Sequence, residues 1–361
     1  GCDGLQLVAP VSDSDYQDMR PWKLKVSEYG DQKGHLLDNG LNGIGFRFHS
    51  KAPELHELYQ AGELAVLHAC GLAHGTRSHF EAMALIERGV SQKSNLTKGW
   101  IARFLEELTP TSQIPALCSS GGVPDSFRGY GRAVSVNDLN NFAIPEMYNF
   151  PELARKWYKN DPIMAATANN TLDTIRLLSN IRPQPAPNAN YPDDWYARDT
   201  ARHFMTAARL IKEDLGIRMA MVDFVGWDTH ENQEDYFPNQ VDALSKCLAA
   251  FYRDLGSKRK NVTILVKSEF GRRLRVNRSM GTDHGYGNMM MVLGEGVKGG
   301  RMYGDWPGLK QDQLNRGVDL EITTDYRTVL GEILMGKMGV RSLDRIFPGF
   351  TFPGAKGFLR A

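Results

Sequence analysis

Short apolar runs alternating with helix-period segments predict an α/β protein built on a mostly parallel sheet with helices on both faces. Leu64-Ala65-Val66-Leu67-His68-Ala69-Cys70 is a continuous apolar run ending at Gly71, the pattern of a strand buried on both sides. Residues 218–225, 261–266 and 288–293 repeat it, apolar or β-branched and bounded by turn residues. Segments with the 3.6-residue apolar spacing of helices separate the first three of these runs.

In chain order, residues 53–60 read as a short amphipathic helix with Leu55, Leu58 and Tyr59 on one side. After the strand at 64–70, Ser78-His79-Phe80-Glu81 opens a helix through about Arg88, with Ser and Glu at the capping-box spacing. Residues 100–108 predict a further helix stopped by Pro110. Between 145 and 192 helical patches alternate with polar and proline-rich stretches, and Arg182-Pro183-Gln184-Pro185-Ala186-Pro187 reads as an extended linker. This predicts a helical insertion within one domain spanning 1–361. Residues 195–215 predict a long helix leading into the strand at 218–225, and helical periodicity over 241–255 precedes the strand at 261–266. The methionines of 288–293 suit core filling, and residues 325–338 give the last helix.

The bulk properties exclude several classes. A net charge of +1 gives no basic face for nucleic acid. No apolar run reaches the roughly 18 residues of a membrane span. The four cysteines show no paired or zinc-finger spacing and read as buried small hydrophobes. Nothing in the sequence signals an oligomeric state or a targeting segment.

The chemistry gathers where strand patterns end. Val225-Gly226-Trp227-Asp228-Thr229-His230, Ser268-Glu269-Phe270-Gly271-Arg272 and Gly281-Thr282-Asp283-His284-Gly285 carry acids and imidazoles into turns. Ligands of open α/β sheets sit beyond the carboxyl ends of strands, so the three motifs predict one shared site. Extended residues two apart face the same side, which lets Asp228 and His230 address one ion, with His284 a third ligand and Asp3 a possible acid from the far end of the chain. Imidazole with carboxylates suits zinc or manganese; an all-oxygen site suits magnesium or calcium. Ser78 stands at a helix start that favours anions, as nucleophile or as simple helix cap. Its neighbour His79 reads equally as base, ligand or cap neighbour. Arg272, Arg273, Arg275 and Arg278 follow Glu269 and could hold a phosphate or sulfate by bidentate hydrogen bonds, or form a solvated basic loop.

These motifs, with Cys2-Asp3-Gly4-Leu5, Thr76-Arg77-Ser78-His79-Phe80 and Asp305-Trp306-Pro307-Gly308-Leu309, resemble the bacterial domain-of-unknown-function family 1501, related to the alkaline phosphatase and sulfatase superfamily. The resemblance runs over most of the chain and implies a three-layer alkaline phosphatase-like fold. It implies Ser78 as nucleophile, Asp228, His230 and His284 as ligands of a first metal, and Asp3 and Glu269 as ligands of a second. Phe270 stands where the superfamily has a histidine, which leaves the second site to magnesium or calcium, or empty. Neither Cys70 nor Ser78 is followed by the proline that formylglycine sulfatases need, so that chemistry is not expected. Family members are exported, often by twin-arginine signals, which implies a periplasmic or secreted protein. The expectation is a metal-dependent hydrolase of small anionic phosphate or sulfate esters, with Ser78 and Arg272 as catalytic residues; the alternative is a non-catalytic exported binding protein that keeps a partial metal site. The geometric expectation is that Ser78, Asp228, His230, Glu269 and His284 converge, bordered by the arginines from 272 to 278.

Overall fold

A computed structural model describes residues 1–108, 112–139, 142, 149–181 and 189–360 of a mixed α/β chain with several sheets. It opens with helix α1 (Gly4–Leu7), strand β1 (Val8–Ala9) and helix α2 (Ser14–Met19). Strands β2 (His35–Leu41) and β3 (Ile44–Phe48) join β1 in a small antiparallel sheet of order β1-β3-β2. Helix α3 (Pro53–Gln60) leads into β4 (Leu64–Gly71), every residue of which is buried. Then come α4 (His79–Arg88), α5 (Trp100–Glu106), β5 (Ala116–Cys118) and β6 (Ala133–Ser135). Helices α6 (Phe150–Tyr158) and α7 (Pro162–Ser179) pack together within the segment expected to be helical and proline-rich; the linker expected at 182–187 lies outside the described residues. The remainder runs α8 (Arg198–Lys212), β7 (Met219–Met221), α9 (Gln233–Asp254), β8 (Ile264–Val266), β9 (Asn288–Leu293), β10 (Arg301–Tyr303), β11 (Thr324–Asp325) and α10 (Tyr326–Met338).

Two sheets carry the middle of the molecule. One is parallel, in the order β6-β5-β7. The other runs β10-β4-β9-β8, with β11 also on β4. In it β4 is parallel to β10 and β11, whereas β9 runs antiparallel to both β4 and β8. This departs from the mostly parallel pairing expected. The chain between β8 and β9 contains no helix, and without a crossover a strand returns antiparallel to the one it follows.

Successive residues of these strands feed two different cores. Leu64, Val66 and Ala69 of β4 lie in one with Leu117, Met289, Met291 and buried faces of α3, α8 and α9. Ala65, Leu67 and Cys70 lie in the other with Ala116, Cys118, Met290, Val292 and faces of α4, α5 and α10. Period-2 alternation in strands and 3.6-residue periodicity in the flanking helices produce this division.

Two elements differ in extent from the sequence expectation. The strand expected over 218–225 is only β7, because its partner β5 ends at Cys118 and leaves no ladder beyond Met221. Helix α9 begins at Gln233, well before the expected 241; Pro238 and the polar residues around it hide the first two turns. Among the described residues, no helix is long and apolar enough to cross a membrane.

Candidate metal centre

Strands β4 and β8 both run antiparallel to β9, so their carboxyl ends share an edge with the amino end of β9. The segments leaving that edge carry His79, Glu269 and His284. The turn after β7 brings Asp228 and His230 to the same place. Glycines make the approach possible. A Cβ at Gly281 would strike the backbone of His230, and one at Gly285 the backbone of Arg272.

Three imidazoles surround the half-exposed carboxylate of Asp228. His284 Nε2 lies 2.9 Å from Asp228 Oδ1, His230 Nε2 3.3 Å from the same oxygen, and His79 Nε2 3.3 Å from Oδ2. The Nε2 atoms of His230 and His284 are 2.9 Å apart. Ligand atoms of His79, Asp228 and His284 all fall within 4.8 Å of one another. Phe270, buried at the back, packs its ring against His79 and His284 at centroid distances of 4.9 and 4.8 Å.

The tautomers follow from what holds the other ring nitrogens. His284 Nδ1 is 2.7 Å from the carbonyl of Arg77, His79 Nδ1 2.6 Å from Glu269 Oε1, and His230 Nδ1 3.4 Å from Asp283 Oδ1. A carbonyl or carboxylate oxygen can only accept, so each Nδ1 is the donor and each neutral ring keeps its lone pair on Nε2. Lone pairs and carboxylate oxygens brought this close repel unless a proton or a metal cation stands among them. His79 Nε2 is buried and makes no hydrogen bond, although Asp228 is near. Backing each imidazole with an oxygen acceptor is the way proteins orient metal-ligating histidines. The donor set fits a borderline divalent ion such as zinc, whose tetrahedral ligands at about 2.0–2.1 Å stand roughly 3.3 Å apart.

Electrostatics favour the deprotonated ligands. Burial pushes the His284 imidazole below its ordinary value of 6.5, only partly opposed by the Arg77 carbonyl and Asp228. For Asp228 burial works against ionisation, yet its contact with His284 and the guanidinium of Arg272 hold the carboxyl well below the usual range. The ordinary carboxylic acid value of Asp283 is lowered too, chiefly by the hydrogen bond from Asn277, against a smaller opposing effect of burial.

The remaining sequence candidates occupy distinct places. Ser78 is the exposed N-cap of α4, directly before His79, and its hydroxyl makes no capping bond. The capping box suggested by its spacing to Glu81 is therefore not formed. Glu269 stands behind His79 and does not touch Asp228; it also accepts from Ser268 Oγ at 2.9 Å. Arg272 is fully buried, and donates to the carbonyls of Gly1, Thr282 and Trp227 and, at 2.5 Å, to Asp228 Oδ1. Arg273 approaches Asp283 at 3.9 Å, while Arg275 and Arg278 are exposed. Asp3 is engaged elsewhere: Arg20 grips both its oxygens at 2.6 and 3.0 Å, and Gln233 Nε2 donates to it at 2.8 Å.

Gln233 is the residue the sequence did not point to. Its Oε1 accepts from Thr229 Oγ1 at 2.9 Å and Thr282 Oγ1 at 2.7 Å, so one buried amide ties together the turns that carry Asp228, His230 and His284. A helix start recognised at Asn232 would have exposed it. Arg20 left no sequence signal, and Asp283 was visible only as the neighbour of His284.

Fold and centre together define a mixed α/β protein with a histidine-rich, carboxylate-centred cluster on one sheet edge. The chain belongs to the protein-of-unknown-function family DUF1501, whose model matches residues 65–345. No curated protein and no solved structure matches it.

Proposed function

We propose that this chain is a metal-dependent hydrolase of small phosphate or sulfate esters. The observation that carries the reading is the common orientation of His79, His230 and His284, each with Nδ1 committed to an oxygen and Nε2 beside Asp228. These four side chains would hold one divalent cation, zinc or manganese by donor type. Such an ion supplies charge neutralisation on the transferred group.

The protein's own groups then have separable tasks. The Ser78 hydroxyl, exposed and free of capping duty, would form the new ester bond as the bond to the leaving oxygen breaks, its proton passing to solvent and the leaving oxygen gaining one. The amino end of α4 favours the anionic group beside it. Buried Arg272 holds Asp228 and balances its charge; with donors directed to three carbonyls and Asp228, it is a positioning residue more than a substrate clamp. The guanidinium of Arg20 on Asp3 favours one metal over two, because a second ion bound there would have to displace it.

The same reading takes the two central sheets as the middle layer of a three-layer alkaline phosphatase-like fold, supported by strands that alternate between two helix-backed cores. The proline-rich segment within 145–192 would be an insertion in that single domain, and the protein would act in the periplasm or outside the cell. Elemental analysis of the purified chain should find about one transition metal per molecule. A panel of aryl phosphate monoesters, diesters and sulfates should then show turnover that disappears in His284→Ala. Absence of metal after purification without chelator, with no uptake on titration, would refute the hydrolase. A protein that binds metal and anion without turnover would fit the binding-module alternative, which the guanidinium-locked Asp3 favours.

A further inference from the structure

Two of the most exposed apolar side chains of the described residues lie on the two segments that carry His79 and Asp228. Phe80, the residue after His79 on α4, is 89 % exposed, and Val225, three residues before Asp228, is 79 % exposed. Met83, 47 % exposed, follows Phe80 by three residues, and residues at that spacing are neighbours on a helix surface. None of the three belongs to either core. Their placement is tied to the centre by the 3.3 Å contact of His79 with Asp228, from which Phe80 and Val225 lead away on two separate segments of the chain. An extended chain covers at most about 3.6 Å per residue, so Val225 stays within roughly 11 Å of Asp228 along the backbone. In the same turn Phe224 and Trp227 pack inward, Trp227 against Phe237, so this segment sends its aromatics to the core and leaves Val225 outside.

The two segments that meet at His79 and Asp228 therefore carry a cation-seeking cluster together with exposed apolar side chains a few residues along the chain. We propose that the ester accepted here is amphiphilic, its phosphate or sulfate head at the His79–Asp228–His284 cluster and an aromatic or alkyl leaving group resting on Phe80, Met83 and Val225. This rests on the hydrolase reading above and narrows it to one substrate class. Apolar area removed from water supplies the affinity, and the charged head fixes the direction in which the substrate lies.

Calorimetric titration of the zinc-loaded full chain with inorganic phosphate, inorganic sulfate, methylphosphonate and phenylphosphonate tests this without turnover. Phenylphosphonate should bind roughly tenfold more tightly than methylphosphonate. The double exchange Phe80→Ser and Val225→Ser, both at exposed positions, should abolish that advantage and leave the affinity for inorganic phosphate unchanged. Equal affinity for the two phosphonates, or an advantage that survives the exchange, overturns the proposal. If the exchange dissociates a dimer and leaves phenylphosphonate affinity intact, the border belongs to a second copy of the chain and the proposal is likewise overturned. Failure of both inorganic phosphate and sulfate to bind the zinc-loaded wild type is a separate result that removes the hydrolase reading itself.

Discussion

His284 and Asp228 meet at 2.9 Å, Nε2 to Oδ1, while the other nitrogen of the imidazole is held by the carbonyl of Arg77. Two acceptors at that distance need a cation or a proton between them, and burial disfavours the proton on His284. Replacing His284 with Ala should abolish stoichiometric zinc, read by elemental analysis. Exchanging Asp283 for Ala, which frees the far nitrogen of His230 together with the Asn277 amide and Arg273, should weaken zinc about 10–100-fold, as outer partners of metal ligands typically do. Zinc retained at full affinity by both variants would remove the metal centre.

The titration of His284 itself gives a second test. The depressed value of His284 means its neutral form persists below 6.5, the ordinary imidazole value. The His284 ring of the metal-free chain, followed by NMR, should therefore take up its proton only below pH 6.5. Protonation of His284 already at or above pH 6.5 would contradict the assigned environment.

Ser78→Ala should leave the melting temperature unchanged, because the hydroxyl makes no capping bond; a working cap would contribute about 1 kcal/mol. Turnover on the best ester should be lost in the same variant. Full activity in Ser78→Ala would remove the nucleophile assignment.

Much of this arrangement was legible in the sequence. Fully buried strands announce themselves as unbroken apolar runs, so β4 and β9 were placed almost to the residue, and the acids and imidazoles at their ends marked the edge. What escaped was long-range. Whether β9 runs with β4 or against it depends on how the chain between β8 and β9 returns, and apolar patterning is the same in either direction. His79 was left between three roles because Glu269, the partner that fixes its tautomer, lies 190 positions away. Gln233 was hidden by a helix start blurred by Pro238, and Asp3 looked available for metal until Arg20 was seen to hold it.

Gln233→Ala should be among the more damaging single exchanges. It strands the hydroxyls of Thr229 and Thr282 and the side-chain oxygen of Gln6 in the interior, at a cost of about 2–4 kcal/mol in denaturant unfolding. A change under about 0.5 kcal/mol, the range of ordinary surface substitutions, would show that the amide does not bind the two turns together.

Two buried histidines make the fold acid-sensitive apart from the metal centre. Burial lowers His49 and His68 to about 4, from an ordinary 6.5. His68 is held neutral, with Nε2 at 3.0 Å from the carbonyl of Val8 and Nδ1 accepting from the Ala69 amide at 3.0 Å. The unfolded chain takes up a proton near 6.5 and the folded one only near 4, so the stability present above pH 6.5 is lost as pH falls between those values. Each histidine contributes up to about 3 kcal/mol to that loss. Denaturant unfolding at pH 7 and pH 4.5 should show it, and His68→Gln should flatten the slope. Equal stability at both pH values would contradict the neutral burial of these rings.

The grip of Arg20 on Asp3 has a bearing on modularity. The family's shared stretch begins at residue 65, yet the amide that joins the turns carrying Asp228, His230 and His284 also donates to a carboxylate from position 3, itself fixed from position 20. The stretch from residue 65 onward is thus not a portable cassette. Cut at residue 65, it would keep every histidine of the cluster and Gln233 but leave that amide without the Asp3 carboxylate it donates to, so grafting or domain-swapping this centre means carrying the first twenty residues along with it.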